Sequence, residues 1–237
     1  METKETGCLV CAAPLEYRQE RAPRACALCG KQADSDAACS AGHFVCDQCH
    51  RLGALDVIEQ VCRASPGTDP VALANQLMKS PTVHMHGPEH HFLVPAVLLS
   101  TYCNAAGRSA ERETLIAEAR RRSDAVLGGF CGYWGACGAA VGVGIFFSLA
   151  TGATPLSTKE WRLSNEATAR VLSQVAKLGG PRCCKRDTFV CLEGAAALAQ
   201  ETLGVSLAPA ERIVCRFSAR NRECLKNDCP FFPAKGA

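Results

Sequence analysis

The chain reads as a mainly α protein: a helical domain built around a buried glycine-rich helix, with a small metal-binding module at its N-terminus. Three observations lead there. Cys-x-x-Cys pairs crowd residues 1–52. Beyond residue 52, apolar side chains recur at helical spacing between cap and breaker signals, and no segment alternates as a strand would. From Ala125 to Thr158 no residue is charged, and the run carries Gly128, Gly129, Gly132, Gly135, Gly138, Gly142, Gly144 and Gly152. With 237 residues, 48% of them hydrophobic, there is ample material for a core.

The expected division is a module over 1–52, connecting helices over 53–80 and a helical metal domain over 81–237. The first helix is predicted in "GALDVIEQVCRAS", and "SPGTDP" breaks it. Asp69 and Pro70 supply the N-cap and first helical position of "VALANQLMKS". "FLVPAVLLSTYCNAA" is apolar enough for a buried helix, with Pro95 in its first turns or kinking it. "SAERETLIAEARRR" predicts an exposed amphipathic helix capped by Ser109.

The uncharged run follows. A hydrophobic span of about 20 residues can cross a bilayer. The many glycines favour instead a buried central helix onto which neighbouring backbones pack closely. Ser157, with Glu160 three positions on, predicts a capping box for "TKEWRLSNEATARVLSQVAKLGG", closed by Gly179 and Gly180. "DTFVCLEGAAALAQETLG" is the last helix, and the tail from Pro209 is basic.

A formal charge of +3 is too mild to call for nucleic acid. Arg212, Arg216, Arg220 and Arg222, near Cys215 and Cys224, leave room for RNA or a cofactor phosphate, although a solvated face explains them equally well. The N-terminus is charged and lacks an apolar signal core. An odd total of 17 cysteines with Cys-x-x-Cys pairs therefore points to metal binding in a reducing cytoplasm rather than to disulfides.

Eight potential ligands fall in order in the module: Cys8, Cys11, Cys26, Cys29, Cys39, His43, Cys46 and Cys49. They suffice for two tetrahedral zinc ions with Zn–S bonds of about 2.3 Å. Pairing is either sequential, with the first four cysteines on one ion, or cross-braced, with Cys26, Cys29, Cys46 and Cys49 together. All positions are filled by protein, so these ions read as structural, and His50 is a spare. "CSAGHFVCDQC" resembles the centre of RING-type and treble-clef zinc modules, but the outer spacing departs from RING. No ubiquitin chemistry carries over.

The later cysteines divide by setting. Cys62, Cys103 and Cys191 sit on apolar helix faces and read as buried packing residues. Cys131, Cys137, Cys183, Cys184, Cys215, Cys224 and Cys229 are flanked by glycine, proline and cations. Such loops suit an iron–sulfur cluster, which takes thiolate ligands and close backbone N–H donors; a third zinc or other metal, and redox-active or buried thiols, are the alternatives.

From about Pro81 to Gly204 the order of motifs resembles the α-region of iron–sulfur L-serine dehydratases and L-cysteine desulfidases. The matching stretches are "FLVPAVLLSTY", "GFCGYWGACGAAVGVG", "GATP" and "GGPRCCKRD". The family's Asn-Gly substrate loop is replaced here by a histidine stretch, and Lys177 and Leu178 stand where a further cluster cysteine is expected. The resemblance implies a 4Fe–4S cluster on Cys131 and Cys183, with Cys137 or Cys184 as third ligand and one iron open to substrate. "HMHGPEHH" and "GPRCCKRD" also resemble the motifs of an uncharacterised cysteine-rich prokaryotic family, which implies no activity.

The stretch "VHMHGPEHH" holds His84, His86, Glu89, His90 and His91. If it is extended, His84 and His86 share a side. His90 and His91 begin a helix about 100° apart, so one of them would join the site. These side chains can supply a base or a metal ligand, and Arg182, Lys185 and Arg186 can supply cations for a substrate carboxylate. In the plainer alternative Pro88 starts a helix and the histidines cap it or bind water.

Two functions follow. One is an iron–sulfur-dependent lyase acting on a small amino or hydroxy acid. The other is a non-catalytic metal protein: redox sensor, cluster carrier or adaptor for a protein partner. No membrane role is expected, and oligomeric state is not legible.

Overall fold

The computed structural model describes residues 8–46, 49, 53–207, 209 and 212–233. His50 lies outside them. The chain is mainly helical, with eight α-helices and one two-stranded sheet among the described residues.

That sheet was not anticipated. Strands β1 (Leu15–Ala25) and β2 (Gln32–Cys39) pair antiparallel from Leu15–Cys39 to Ala25–Gln32, with an irregularity between Tyr17 and Ala22. Nearly every residue of β1 is exposed, so neither face needs an apolar set and the period-2 signature is missing. The connection carries Cys26 and Cys29. There Gly30, at φ +73°, lets its N–H reach the Cys26 carbonyl at 2.8 Å.

Helix α1 (Ala54–Ala64) buries Val57, Ile58, Val61 and Cys62. Helix α2 (Pro70–Lys79) starts as expected: the Asp69 carboxylate accepts from the N–H groups of Val71 at 2.8 Å and Ala72 at 3.0 Å, with Pro70 at its first position. Helix α3 (Glu89–Ala105) contains Pro95 and is buried on almost all sides from Phe92 to Cys103. Helix α4 (Arg112–Ser123) begins later than predicted. Ser109 is not its cap; the Ser109 carbonyl receives the Arg112 N–H in a preceding turn, and Glu111 stands at the N-cap.

The uncharged run is not one helix. A four-residue turn α5 (Phe130–Tyr133) precedes the buried helix α6 (Gly138–Thr151), because Gly129 at φ +85° and Gly135 at φ +66° turn the backbone out of helical register. Helix α6 lies between α3 and α7. A Cβ on Gly142 would stand 2.8 Å from Pro95 Cδ and 3.0 Å from the His91 carbonyl, while one on Gly144 would overlap the Thr168 hydroxyl. Close approach on two sides therefore depends on glycine. Among the described residues no helix is long and apolar enough to cross a membrane.

Helix α7 (Lys159–Leu178) lacks the expected capping box. Its N-cap is Thr158, and the Ser157 hydroxyl instead accepts from the Thr154 N–H at 2.7 Å. Helix α8 (Cys184–Leu203) starts earlier than predicted, so Cys183 is an N-cap and Lys185, Arg186 and Asp187 form the first turn. The segment 212–233 closes on itself through two 3₁₀ turns, with the Cys215 N–H donating to the Phe231 carbonyl at 2.7 Å. Cys62, Cys103 and Cys191 are fully buried, as packing residues should be.

Candidate metal centres

The N-terminal ligands form two sets, Cys8, Cys11, Cys39 and His43, and Cys26, Cys29, Cys46 and Cys49, each with all donor atoms within 4.8 Å of one another. The pairing is cross-braced. The sequential alternative fails because the β1–β2 hairpin separates the first Cys-x-x-Cys pair from the second and returns Cys39 beside Cys8 and Cys11. Cys11 Sγ lies 3.7 Å from Cys39 Sγ, Cys29 Sγ 3.9 Å from Cys46 Sγ, and Cys39 Sγ 3.4 Å from His43 Nδ1.

Tetrahedral bonds of about 2.3 Å place sulfurs about 3.8 Å apart. Each set therefore has the size of a single ion and could hold one. Backbone donors already face the sulfurs: Val10 N–H to Cys8, His43 N–H to Cys39 and Cys46 N–H to Cys26, at 3.2–3.4 Å. Burial raises the Cys26 pKa, but the N–H groups of Cys46, Cys29 and Leu28 outweigh it and bring the thiol down to about 7.

A second constellation surrounds a cavity of about 230 Å³ between the start of α3, the segment 128–139 and the start of α8. His86, His90, His91, Cys131, Cys137 and Cys184 line it, with Arg182 and Asp187. Each imidazole is held from behind. His90 Nδ1 donates to the Gly87 carbonyl at 3.1 Å, and His91 Nδ1 to the Val126 carbonyl at 2.8 Å.

His86 Nε2 lies 3.1 Å from Asn221 Oδ1 and 3.2 Å from Glu223 Oε2. The Asn221 amide is oriented by two other bonds: its Nδ2 donates to Cys183 Sγ at 3.4 Å, and its Oδ1 accepts the Glu223 N–H at 3.1 Å. His86 Nε2 therefore carries a proton and donates to these oxygens. His86 Nδ1 and His90 Nε2 are both buried without a hydrogen-bond partner.

In both rings one nitrogen is thus tied down by a hydrogen bond while the other has none. Burial, with Lys185 adding to it, holds His90 well below the ordinary histidine pKa, so its ring is neutral. Burial also pushes the Cys137 thiol up to about 11 and Cys184 up to about 12, so without a metal both stay protonated.

Cys183 is turned away from that cavity. It lines a smaller one with Cys215, Cys224 and Cys229, walled by Met85, Phe217, Leu225, Phe231 and Phe232. Adjacent residues thus serve different cavities. Cys183 is the N-cap of α8, its sulfur accepting the Arg186 N–H at 3.4 Å, while Cys184 is already helical.

Other expected site residues stand apart. The backbone from residue 84 to 88 bends rather than extends, so alternation does not apply and His84 does not share the cavity of His86. His84 is exposed and pairs with Glu89 through Nδ1 at 3.2 Å. Glu89 is buried and also accepts the His84 N–H at 2.7 Å, which pins the loop. Lys185 is fully buried and donates to the Val83 carbonyl at 3.1 Å. Arg186 pairs with Asp187 at 3.1 Å and with the Gly179 carbonyl at 2.9 Å, on the side of the smaller cavity. Of the three cations, Arg182 alone lines the histidine cavity.

His90 and His91 both line the cavity, and Gly138 leaves room for the second of them, since a Cβ there would overlap the His91 ring. Asp187, Asn221 and Glu223 were missed. Asp187 ends the quoted "GPRCCKRD", which was a usable signal, whereas nothing local marks Asn221 or Glu223. No two of the described cysteines are joined in a disulfide.

The model of a family of unknown function, DUF5714, matches residues 58–232. No curated protein and no solved structure matches the chain.

Proposed function

This chain belongs to the DUF5714 family of unknown function, and we propose that it is an iron–sulfur-dependent lyase of dehydratase or desulfidase type, acting on a small amino or hydroxy acid. The observation that supports this most is the meeting of three thiols and three imidazoles around one cavity, two of their ring nitrogens buried and unpartnered. The two N-terminal sets hold structural zinc, since each offers four protein donors and leaves no position open. Free thiols throughout the chain suit a reducing cytoplasm.

The donor set of the histidine cavity fits a cluster better than one ion. Cys131, Cys137 and Cys184 would hold a 4Fe–4S cluster. When bound, it supplies a Lewis acid toward the substrate's hydroxyl or thiol. His86 takes the α-proton at Nδ1, and Glu223 and Asn221 stabilise the imidazolium that results. His90, neutral at Nε2, accepts a hydrogen bond from the substrate. Arg182, at the rim, pairs with the substrate carboxylate. The leaving hydroxide or hydrosulfide takes that proton back from His86 and departs as water or hydrogen sulfide, which completes the elimination.

The test is an anaerobic preparation of the full chain, assayed for acid-labile sulfide and for exchange of the α-proton with deuterated solvent in serine, cysteine and small 2-hydroxy acids. Exchange that is lost in His86→Ala supports the lyase. A cluster-loaded protein that exchanges none of these substrates ends it.

A second reading, a non-catalytic sensor, carrier or adaptor, is favoured by one observation. The cross-braced module lies outside residues 58–232, and its hairpin exposes Tyr17. Under that reading His86→Ala leaves the biological activity intact, whereas losing the module's cysteines abolishes partner binding.

A further inference from the structure

Cys183, Cys215, Cys224 and Cys229 come from two distant segments, the N-cap of α8 and the folded tail, yet line one small cavity. Three of the four sulfurs already accept N–H donors. Phe217 N–H reaches Cys215 and Lys226 N–H reaches Cys224, each at 3.4 Å, and Cys183 accepts both the Arg186 N–H and the Asn221 amide. The donor two residues after the cysteine repeats the turn at Cys8 and Val10 in the N-terminal module. Such donors stabilise thiolate rather than thiol.

The spacing differs from that module. Among the described residues, donor sets drawn within 4.8 Å occur at the two N-terminal sites but not here. Four thiols that surround one cavity without closing to single-ion distance suit a larger inorganic centre. Most of the remaining wall is apolar, from Met85, Phe217, Leu225, Phe231 and Phe232, which limits water around bridging sulfides, while Arg186, Ser218 and Asn221 supply its polar part.

We propose that Cys183, Cys215, Cys224 and Cys229 bind a 4Fe–4S cluster of their own, separate from the histidine cavity and fully ligated by protein. No iron in it is open to substrate. Its place is beside the Asn221 amide that holds His86, and it ties the tail to the start of α8.

The test uses the full chain, reconstituted anaerobically with ferrous iron, sulfide and a thiol reductant. The paired variant Cys224→Ser, Cys229→Ser is expected to lose about four iron and four sulfide per chain while its zinc is unchanged. The pair Cys131→Ser, Cys137→Ser is expected to keep that quota. If the second pair loses nothing and the first pair does, the proposed lyase centre fails and the tail cluster stands. An unchanged sulfide content in the first pair, or a loss of zinc in place of iron, overturns the tail cluster.

A measurement on the unaltered protein covers the case in which the variants do not fold. Cys215, Cys224 and Cys229 are only partly buried, so free thiols there would alkylate. In the loaded protein all four cysteines are expected to resist iodoacetamide together and to react together once iron is stripped. Alkylation of any one of them while all iron is retained is the contrary result.

Discussion

The N-terminal module and the helical domain use the same side chains in opposite ways. In the module, ligands arrive in local Cys-x-x-Cys turns, and the fold closes them to single-ion distance, with sulfurs 3.7–3.9 Å apart. In the helical domain the candidate ligands converge from segments far apart in the chain, and the core holds the donors around cavities instead of collapsing them. The module's β1 is almost wholly exposed, whereas α3 and α6 are buried nearly all round. On the proposed reading, one region depends on its metal for shape, while the other has its shape already and offers it to a metal. This difference separates an ion that folds a protein from a centre that a folded protein employs.

The largest effect that could break the comparison is metal removal. Structural zinc contributes about 10–16 kcal/mol to the folding of small metal-bound modules, and little apolar burial in β1 replaces it. A chelator, or Cys26→Ser, is expected to open the module to protease within residues 8–46 while helices α3 and α6 stay resistant. Mass spectrometry of the fragments reads this directly. A module that stays resistant without metal would remove the distinction.

Much of this contrast was legible in the residues, for reasons that differ by region. The eight module ligands announced themselves because their spacing is local, but their pairing depends on a hairpin whose strands carry no alternation. The buried glycine helix was legible from the absence of charge around Gly138, Gly142 and Gly144. Its true start was not, since Gly129 and Gly135 break the helix through backbone angles that composition does not reveal. An extended chain would put His84 and His86 on one side, but the loop bends and Glu89 holds His84 through its N–H. Cys183 and Cys184 are neighbours in the chain, so only the position of the α8 N-cap shows that they serve different cavities. Asn221 and Glu223 reach His86 across more than a hundred residues, a contact that no local pattern encodes.

The second prediction tests whether the helical domain holds its cavity by packing. Gly138→Ala places a methyl group against the His91 ring at the start of α6. Overpacking of this kind costs about 1–3 kcal/mol. In a chain of this size that lowers Tm by about 2–4 °C per kcal/mol. The module's zinc content should not change. A Tm equal to or above that of the unaltered protein, as helix propensity alone would give, would show that the close approach does not matter.

The third prediction sharpens the contrast at the level of supporting bonds. Among those named here, the module's sulfurs take their donors from backbone N–H groups, whereas His86 is held by the side chains of Glu223 and Asn221. Removing such an outer partner lowers activity or metal affinity by about 10–100-fold. Glu223→Ala is therefore expected to slow α-proton exchange by that factor with iron and zinc contents unaltered. Equal exchange in both proteins would take His86 out of the proposed chemistry.

The smallest effects concern two helix starts in the helical domain, and they should leave every metal in place. Asp69 caps α2 through two N–H groups, so Asp69→Ala costs about 1 kcal/mol. Ser157 reads equally well as a cap from its residues alone, yet its hydroxyl faces Thr154 and no side chain caps α7. Ser157→Ala should then stay within about 0.5 kcal/mol, the range of ordinary surface substitutions. Urea melts of the two variants, followed by helical circular dichroism, should give a lower midpoint for Asp69→Ala alone. Equal losses in both would mean that α7 is capped by Ser157 after all, and that its start is set by local sequence instead of by packing against α6.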